Sequence, residues 1–327
     1  MWGSRCCRLA IVLVAALAGV AREVAQQPST QEAPPIRITV NRVNVGVVVT
    51  DSQGRFVEGL RREDFHVYDN GVEQPIASFL PIQEPAQVVL LIESGPAARF
   101  LGKTYLQSAD NLLNSLAPDD RVAIAGYSRG PQLLWEFSPD KLATQDALRS
   151  LNFSNGFGEL NLSSSLASTI DWLALFPGKK TIVLLSSGLD TSPEANWQSI
   201  QQKLNVSDIR ILAVSLSGEI RKPAKVKKLS PEARTDRVFL KQGFAQADQS
   251  LRELSFATGG RVYFPKNDKE FARTYSEIAQ LVRHEYSLAF VPPAFDGQIH
   301  SIKVKVKHFW YRVDHRQAYL APATTPN

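Results

Sequence analysis

Three short stretches hold the residues whose types and spacing could do chemistry. Glu93, Ser94 and Gly95 close the apolar run "VVLLIESG" with a carboxylate, a hydroxyl and a glycine. Oxygen side chains in a loop after a buried strand are what a hard divalent cation needs. "GYSRG" (126–130) fits the G-x-S-x-G pattern, in which Ser128 would be a nucleophile. That pattern needs a strand before it and a helix directly after it. Here Pro131 follows at once and "QLLWEFS" reads as a strand, so Ser128 is expected in a hairpin turn. A triad also needs a downstream acid and histidine. His284, His300, His308 and His315 all lie in the last helix or the C-terminal β segment, and none of the five histidines has zinc-type spacing. "RKPAKVKK" carries Arg221, Lys222, Lys225, Lys227 and Lys228, a basic loop that could steer an acidic partner. In "KVKVKHFWYRVDHR" the alternation places Trp310 and Tyr311 on the inner face of a strand, and no nucleic-acid role is expected.

These residues must be positioned by folded elements. The chain has 327 residues, 44% hydrophobic and 21% charged, which suits one large globular domain and a smaller one. Arg5 and Arg8 precede the apolar run "LAIVLVAALAGVA", so residues 1–26 read as a signal peptide. The run is about a dozen residues, short of the roughly 20 that span a bilayer. The protein is therefore expected to be exported, periplasmic or secreted, with membrane attachment only if the segment stays uncleaved. Cys6 and Cys7 are the only cysteines and would leave with it. Residues 27–35 read as a linker.

Residues 36–85 alternate in the β manner, with turn signals at "DSQG" and "DNG". From residue 86 the pattern changes. "AQVVLLIE", "RVAIAGYS", "KKTIVLLSSG" and "IRILAVSL" are buried-strand runs separated by segments with helical spacing, which predicts a mostly parallel sheet covered on both faces. "YSLAFVPP" is expected to close that sheet. Residues 297–321 return to alternation and are expected to pair with residues 36–80 in a small β-sandwich-like module. The α/β domain then spans 86–293.

This order of elements resembles a von Willebrand factor type A domain. More narrowly, the chain is similar to a bacterial group, the VWFA-related acidobacterial domain proteins. "VVVTDSQGRFVEGLRREDFHVYDNGVEQPIASF", "LAPDDRVAIAGYS", "KKTIVLLSSGLDTS" and "ATGGRVYFP" carry the likeness. The resemblance implies a doubly wound fold and a metal-ion-dependent adhesion site built from three loops, Asp-x-Ser-x-Ser, a Thr and an Asp. This sequence departs from all three. If Ser94 takes the first Ser position, Ile92 stands for the Asp and Pro96 for the last Ser. If Glu93 takes the Asp position, Gly95 and Ala97 stand for the serines. Leu160 stands where the Thr is expected, with Asn161 and Ser163 close by, and Ser187 stands for the Asp, with Asp190 three residues on.

The expectation is an exported, non-enzymatic interaction or scaffold protein with no metal and no cofactor. Its unknown protein partner would meet the carboxyl edge of the sheet at Glu93, Ser94, Asn161, Ser187 and Asp190. The alternatives are a metal-dependent adhesion module (Mg, Mn or Ca) and a serine hydrolase using Ser128.

Overall fold

The structure is a computed structural model and describes residues 42–80, 85–95, 109–151, 159–192, 196–220 and 231–323. The signal peptide (1–26), the linker (27–35) and the basic loop Arg221 to Lys228 lie outside the described residues.

A six-stranded sheet forms the centre, in the order β10-β9-β8-β5-β6-β7. Its strands are β5 (Ala86–Glu93), β6 (Arg121–Tyr127), β7 (Pro131–Ser138), β8 (Lys179–Ser186), β9 (Ile209–Ser215) and β10 (Val262–Tyr263). All neighbours are parallel except the β6–β7 hairpin. Every residue of β5 is buried. Its side chains alternate between two cores, because successive Cβ atoms on a strand point to opposite faces. Val88, Leu90 and Ile92 pack with Leu112 and Leu113 of helix α1 (109–115) and with Phe271, Tyr275 and Ile278 of α7 (Asp268–Arg283). Val89 and Leu91 pack with Leu162, Leu166 and Ile170 of α3 (Leu162–Leu173), Ile200 of α4 (Trp197–Val206) and Leu251 of α6 (Pro231–Ala257), which comes after the one-turn α5 (Ser217–Ile220). Helices on both faces of a mostly parallel sheet make the doubly wound α/β class. Burying one Leu or Ile in such a core is worth about 1.5–3 kcal/mol. The helices start where the sequence supplies a cap. Asp140, before α2 (Lys141–Arg149), and Asn161, Asn196 and Asn267 each accept from the backbone N–H three residues on.

Two four-stranded antiparallel sheets stand beside this domain, β13-β1-β11-β4 and β14-β12-β2-β3. They are built from β1 (Val43–Thr50), β2 (Phe65–Asp69), β3 (Val72–Gln74), β4 (Ile76–Leu80), β11 (Glu285–Phe290), β12 (Ile299–Val306), β13 (Arg312–His315) and β14 (Ala318–Leu320). A third core lies between them, with Val45, Val47, Phe65, Val67, Tyr286, Leu288, Ile302 and Val304. The β2–β3 turn is the "DNG" hairpin, with Asn70 at φ 46 and Gly71 at φ 84. Strands from both ends of the chain meet here, since β12 pairs with β2 and β13 with β1.

One strand is not where the pattern put it. β11 does not close the parallel sheet. It lies between β1 and β4, so the α/β domain's expected end at 293 falls inside the other unit. Its alternation explains this: Tyr286, Leu288 and Phe290 all enter the sandwich core. The two units are joined by charge and by close backbone contact. Arg210 of β9 pairs with Glu285 of β11 at 2.7 Å, with both side chains nearly enclosed. Gly46 leaves the space that this glutamate occupies. Arg210 also donates to the Gly259 carbonyl. No helix among the described residues is long and apolar enough to cross a membrane.

Candidate functional site at the carboxyl edge of the sheet

Three parallel strands end together, which brings β5, β6 and β8 side chains into one cluster. Glu93 is the last residue of β5 and is wholly buried. Register places it beside Tyr127, the last residue of β6. Its Oε2 accepts from the Ser187 backbone N–H at 2.7 Å and the Ser187 hydroxyl at 2.8 Å. The Tyr127 hydroxyl donates to the same oxygen at 3.2 Å, and the Ser186 hydroxyl lies at 3.4 Å. Tyr127 and Ser186 also bond each other at 2.6 Å. Glu93 Oε1 is buried with no hydrogen-bond partner.

Burial raises the Glu93 carboxyl above the usual glutamate range, opposed by the hydrogen bonds from Ser187, Tyr127 and Ser186. Burial also pushes the Tyr127 phenol well up, with the adjacent Glu93 charge adding to it. In this cluster burial favours the neutral form of the carboxyl, and the donors aimed at Oε2 favour the charged one.

Glu93 and Ser187 were expected on a partner-facing edge, and the structure corrects this. Both are fully enclosed, because the registers of β5, β6 and β8 turn the strand ends toward one another. Ser94, Asn161 and Asp190 remain half-buried. Ser94 donates its hydroxyl to the Tyr127 carbonyl at 2.9 Å. Asn161 caps α3 through Ser164 N–H at 2.9 Å. Asp190 accepts from Ser163 N–H at 2.7 Å, at the same helix start, and from Ser192 N–H at 3.1 Å. The Asn161 N–H donates to the Ser128 carbonyl at 2.7 Å, so the β6–β7 turn is tied to the same loop. Asn161 and Asp190 thus share one helix end, while Glu93 and Ser187 form a separate buried pair.

Leu160 lies between these two groups. A Cβ built on Gly95 would stand 2.6 Å from Leu160 Cδ2 and 3.7 Å from Glu93 Oε1. An apolar side chain therefore packs against Gly95, at a position where the type A resemblance implies a ligand hydroxyl. The donor set does not fit a cation there: one carboxylate engaged by internal donors, a leucine, and serines bonded to protein atoms offer too few free oxygens. Among the described residues no group of three or more His, Cys, Asp or Glu side chains is arranged so that it could hold a metal ion.

Ser128 sits in the β6–β7 turn, its N–H donating to Gly130 O at 3.3 Å, with β7 rather than a helix following. His300 and His315 lie in the sandwich, where they bond Asp69 and the Arg316 carbonyl respectively. Sequence reasoning missed Tyr127 and Ser186 as partners of Glu93. Their signal was available: each ends a buried-strand run, and parallel strands of matched length end at one edge.

No family model matches the chain, and no curated protein matches it by sequence. Solved structures to which it is similar include a von Willebrand factor type A protein from Catenulispora acidiphila, at 12% identity and TM-score 0.43, covering 87% of this chain and 73% of that one. Another is proximal thread matrix protein 1 from the mussel byssus, at 11% identity and TM-score 0.44, covering 62% of this chain. This chain spans only 49% of the mussel protein's length. A third is an aerotolerance-related membrane protein from Bacteroides fragilis, at 10% identity and TM-score 0.43, covering 60% of this chain and 98% of that one.

Proposed function

We propose that this chain is an exported, non-enzymatic interaction or scaffold protein whose partner docks at the carboxyl edge of the parallel sheet without a bridging metal. The observation that carries the reading is the filled edge. Glu93 is engaged by donors from β6 and from the loop after β8, and Leu160 closes over Gly95. The half-buried Ser94, Asn161 and Asp190 would then present a platform already held together by its own hydrogen bonds, which limits the ordering cost of docking. Export rests on the N-terminal apolar segment.

The test is the melting temperature titrated with Mg²⁺, Mn²⁺ and Ca²⁺. No shift is expected. A shift that chelator reverses and Glu93→Ala removes would overturn metal independence. One observation favours that second reading, a metal-dependent adhesion module: Glu93 Oε1 is buried without a partner. A hydrolase reading predicts covalent labelling of Ser128 by an active-serine probe, and none is expected.

A further inference from the structure

The turn between β12 and β13 places aromatic rings where alternation did not. Residues 307–311 are not strand, and the chain crosses there from one sheet of the sandwich to the other. Phe309 is 90% exposed and Trp310 53% exposed, so neither belongs to an inner face. The turn is ordered by its own contacts. Tyr311 N–H bonds the His308 carbonyl at 3.1 Å, and Lys307 N–H bonds the Asp64 carbonyl at 2.9 Å. His308 lies 4.9 Å from Trp310 and Phe309 lies 5.0 Å from it, centroid to centroid. Tyr311 packs on the sandwich core and anchors the group.

Cations stand behind this tip. Lys303, Lys305 and Lys307 are exposed, alternate with buried Ile302, Val304 and Val306, and therefore point outward on one face. Strand rise spaces them roughly 7 Å apart, so Lys307 adjoins the tip and Lys303 stands about 13 Å behind it. Among the described residues none of the three has an ion-pair partner, and Lys305 lies 5.0 Å over the Tyr68 ring. The acidic groups nearby are engaged. Glu73 bonds His66 at 2.7 Å, Asp64 accepts from Arg61 N–H, and Asp314 is shared by Arg261 and Arg312.

We infer that this tip and its lysine row dock the protein on an anionic lipid surface. The inference stands apart from the sheet-edge function. Trp310 at the end of a turn suits the interfacial zone of a bilayer, where the indole can leave water while its N–H stays at the headgroups, and Phe309 adds apolar area beside it. Lys307 and Lys305 lie within about one Debye length of the tip, where lipid headgroup charge is felt, and Lys303 lies just beyond it. Base stacking fits less well, because His308 already covers Trp310.

The test uses the full chain with vesicles of phosphatidylcholine alone, or enriched in phosphatidylglycerol with brominated acyl chains. The emission that Trp310→Phe removes is the Trp310 component, so the readout is independent of any insertion by the N-terminal apolar segment. The expected result is bromine quenching of that component in anionic vesicles only. It should fall severalfold in Lys303→Glu/Lys305→Glu/Lys307→Glu, in Phe309→Ser, and at high salt. A Trp310 component that stays unquenched with anionic vesicles overturns the inference. So does equal quenching in neutral vesicles carrying brominated chains, or a response to single-stranded oligonucleotide but not to vesicles.

Discussion

Ser187 gives both its backbone N–H and its hydroxyl to one oxygen of Glu93, at 2.7 and 2.8 Å, from the loop that follows the neighbouring strand. The other oxygen of that carboxyl bonds nothing. The two residues hold the carboxyl ends of β5 and β8 together inside the protein, and their removal should be felt as lost stability.

Ser187→Ala should cost about 2 kcal/mol, because a buried carboxyl loses one of its principal donors. Ser94→Ala serves as the comparison, since its half-buried hydroxyl donates only to the Tyr127 carbonyl, and should cost about 1 kcal/mol or less. Denaturant unfolding of both variants checks this. Equal costs would mean that Glu93 does not depend on Ser187.

Glu93→Gln should change how stability varies with pH. Burial raises the folded carboxyl above its unfolded value, so its contribution is fully present below the ordinary glutamate range and is lost as pH rises through the folded value. As pH rises above the ordinary glutamate value of 4.5, the wild type should therefore lose ground against Glu93→Gln. A difference in melting temperature that stays flat as pH rises from there would contradict a raised carboxyl.

His300 should supply a second slope of the same sign at higher pH. It lies between Asp69 (2.8 Å) and Asp296 (3.2 Å), and Tyr319 donates to Asp69 at 2.9 Å. Burial lowers the ring, but the hydrogen bonds to Asp296 and Asp69 outweigh it and raise it above the usual histidine value. The stabilisation is whole below the unfolded histidine value and is lost as pH rises through the folded one. His300→Gln should abolish the part of the decline above about pH 6.5, as read by melting temperature. Persistence of the full decline in that variant would rule the ring out as its source.

The junction between the units should be intolerant at Gly259 and Gly260. Gly259 has φ +69, and a Cβ there would run into the His315 backbone, while a Cβ on Gly260 would strike the Ile211 carbonyl. Neither obstacle is a movable side chain. Alanine at each should cost more than about 3 kcal/mol. Gly130→Ala meets nothing within 4 Å, and should stay within about 0.5 kcal/mol of the parent. Unfolding midpoints of the three variants decide the matter.

Arg210 and Glu285 should behave as a unit. Arg210→Met leaves an enclosed carboxylate without its cation and should cost about 3–5 kcal/mol. The double variant Arg210→Met/Glu285→Met should recover part of that loss, because no charge is then stranded. Additive costs would show that the pair is not coupled.

Much of this architecture is legible in the sequence, and the exceptions share a cause. "AQVVLLIE" reads as a strand buried on both faces because, Gln87 aside, nothing in it is polar until its end, and β5 is that strand. "DNG" reads as a hairpin because Asn70 and Gly71 accept positive φ. "YSLAFVPP" misleads, since a short apolar run does not say which of two sheets it will join. The alternation in "KVKVKHFWYRV" runs on through a turn, so Phe309 and Trp310 look like strand residues until the crossing between sheets is seen. Glu93 reads as solvated because its burial depends on Tyr127, Ser186 and Ser187, which reach it only once three strands are in register.

The sandwich has a consequence for how the molecule is made. The Leu60 N–H bonds the Tyr286 hydroxyl across 226 positions, and His300 meets Asp69 across 231. β1 also divides its side chains between two cores, with Val48 against the helices and Val47 and Val49 inside the sandwich. A nascent chain therefore makes β1 long before its partners β11 and β13, and β1 stays unpaired until they emerge. The loop-closure cost of those pairings falls once the α/β core has drawn the ends close. The parallel sheet should thus form first and template the sandwich. Loss of β13 would leave β1 exposing an open edge to other chains.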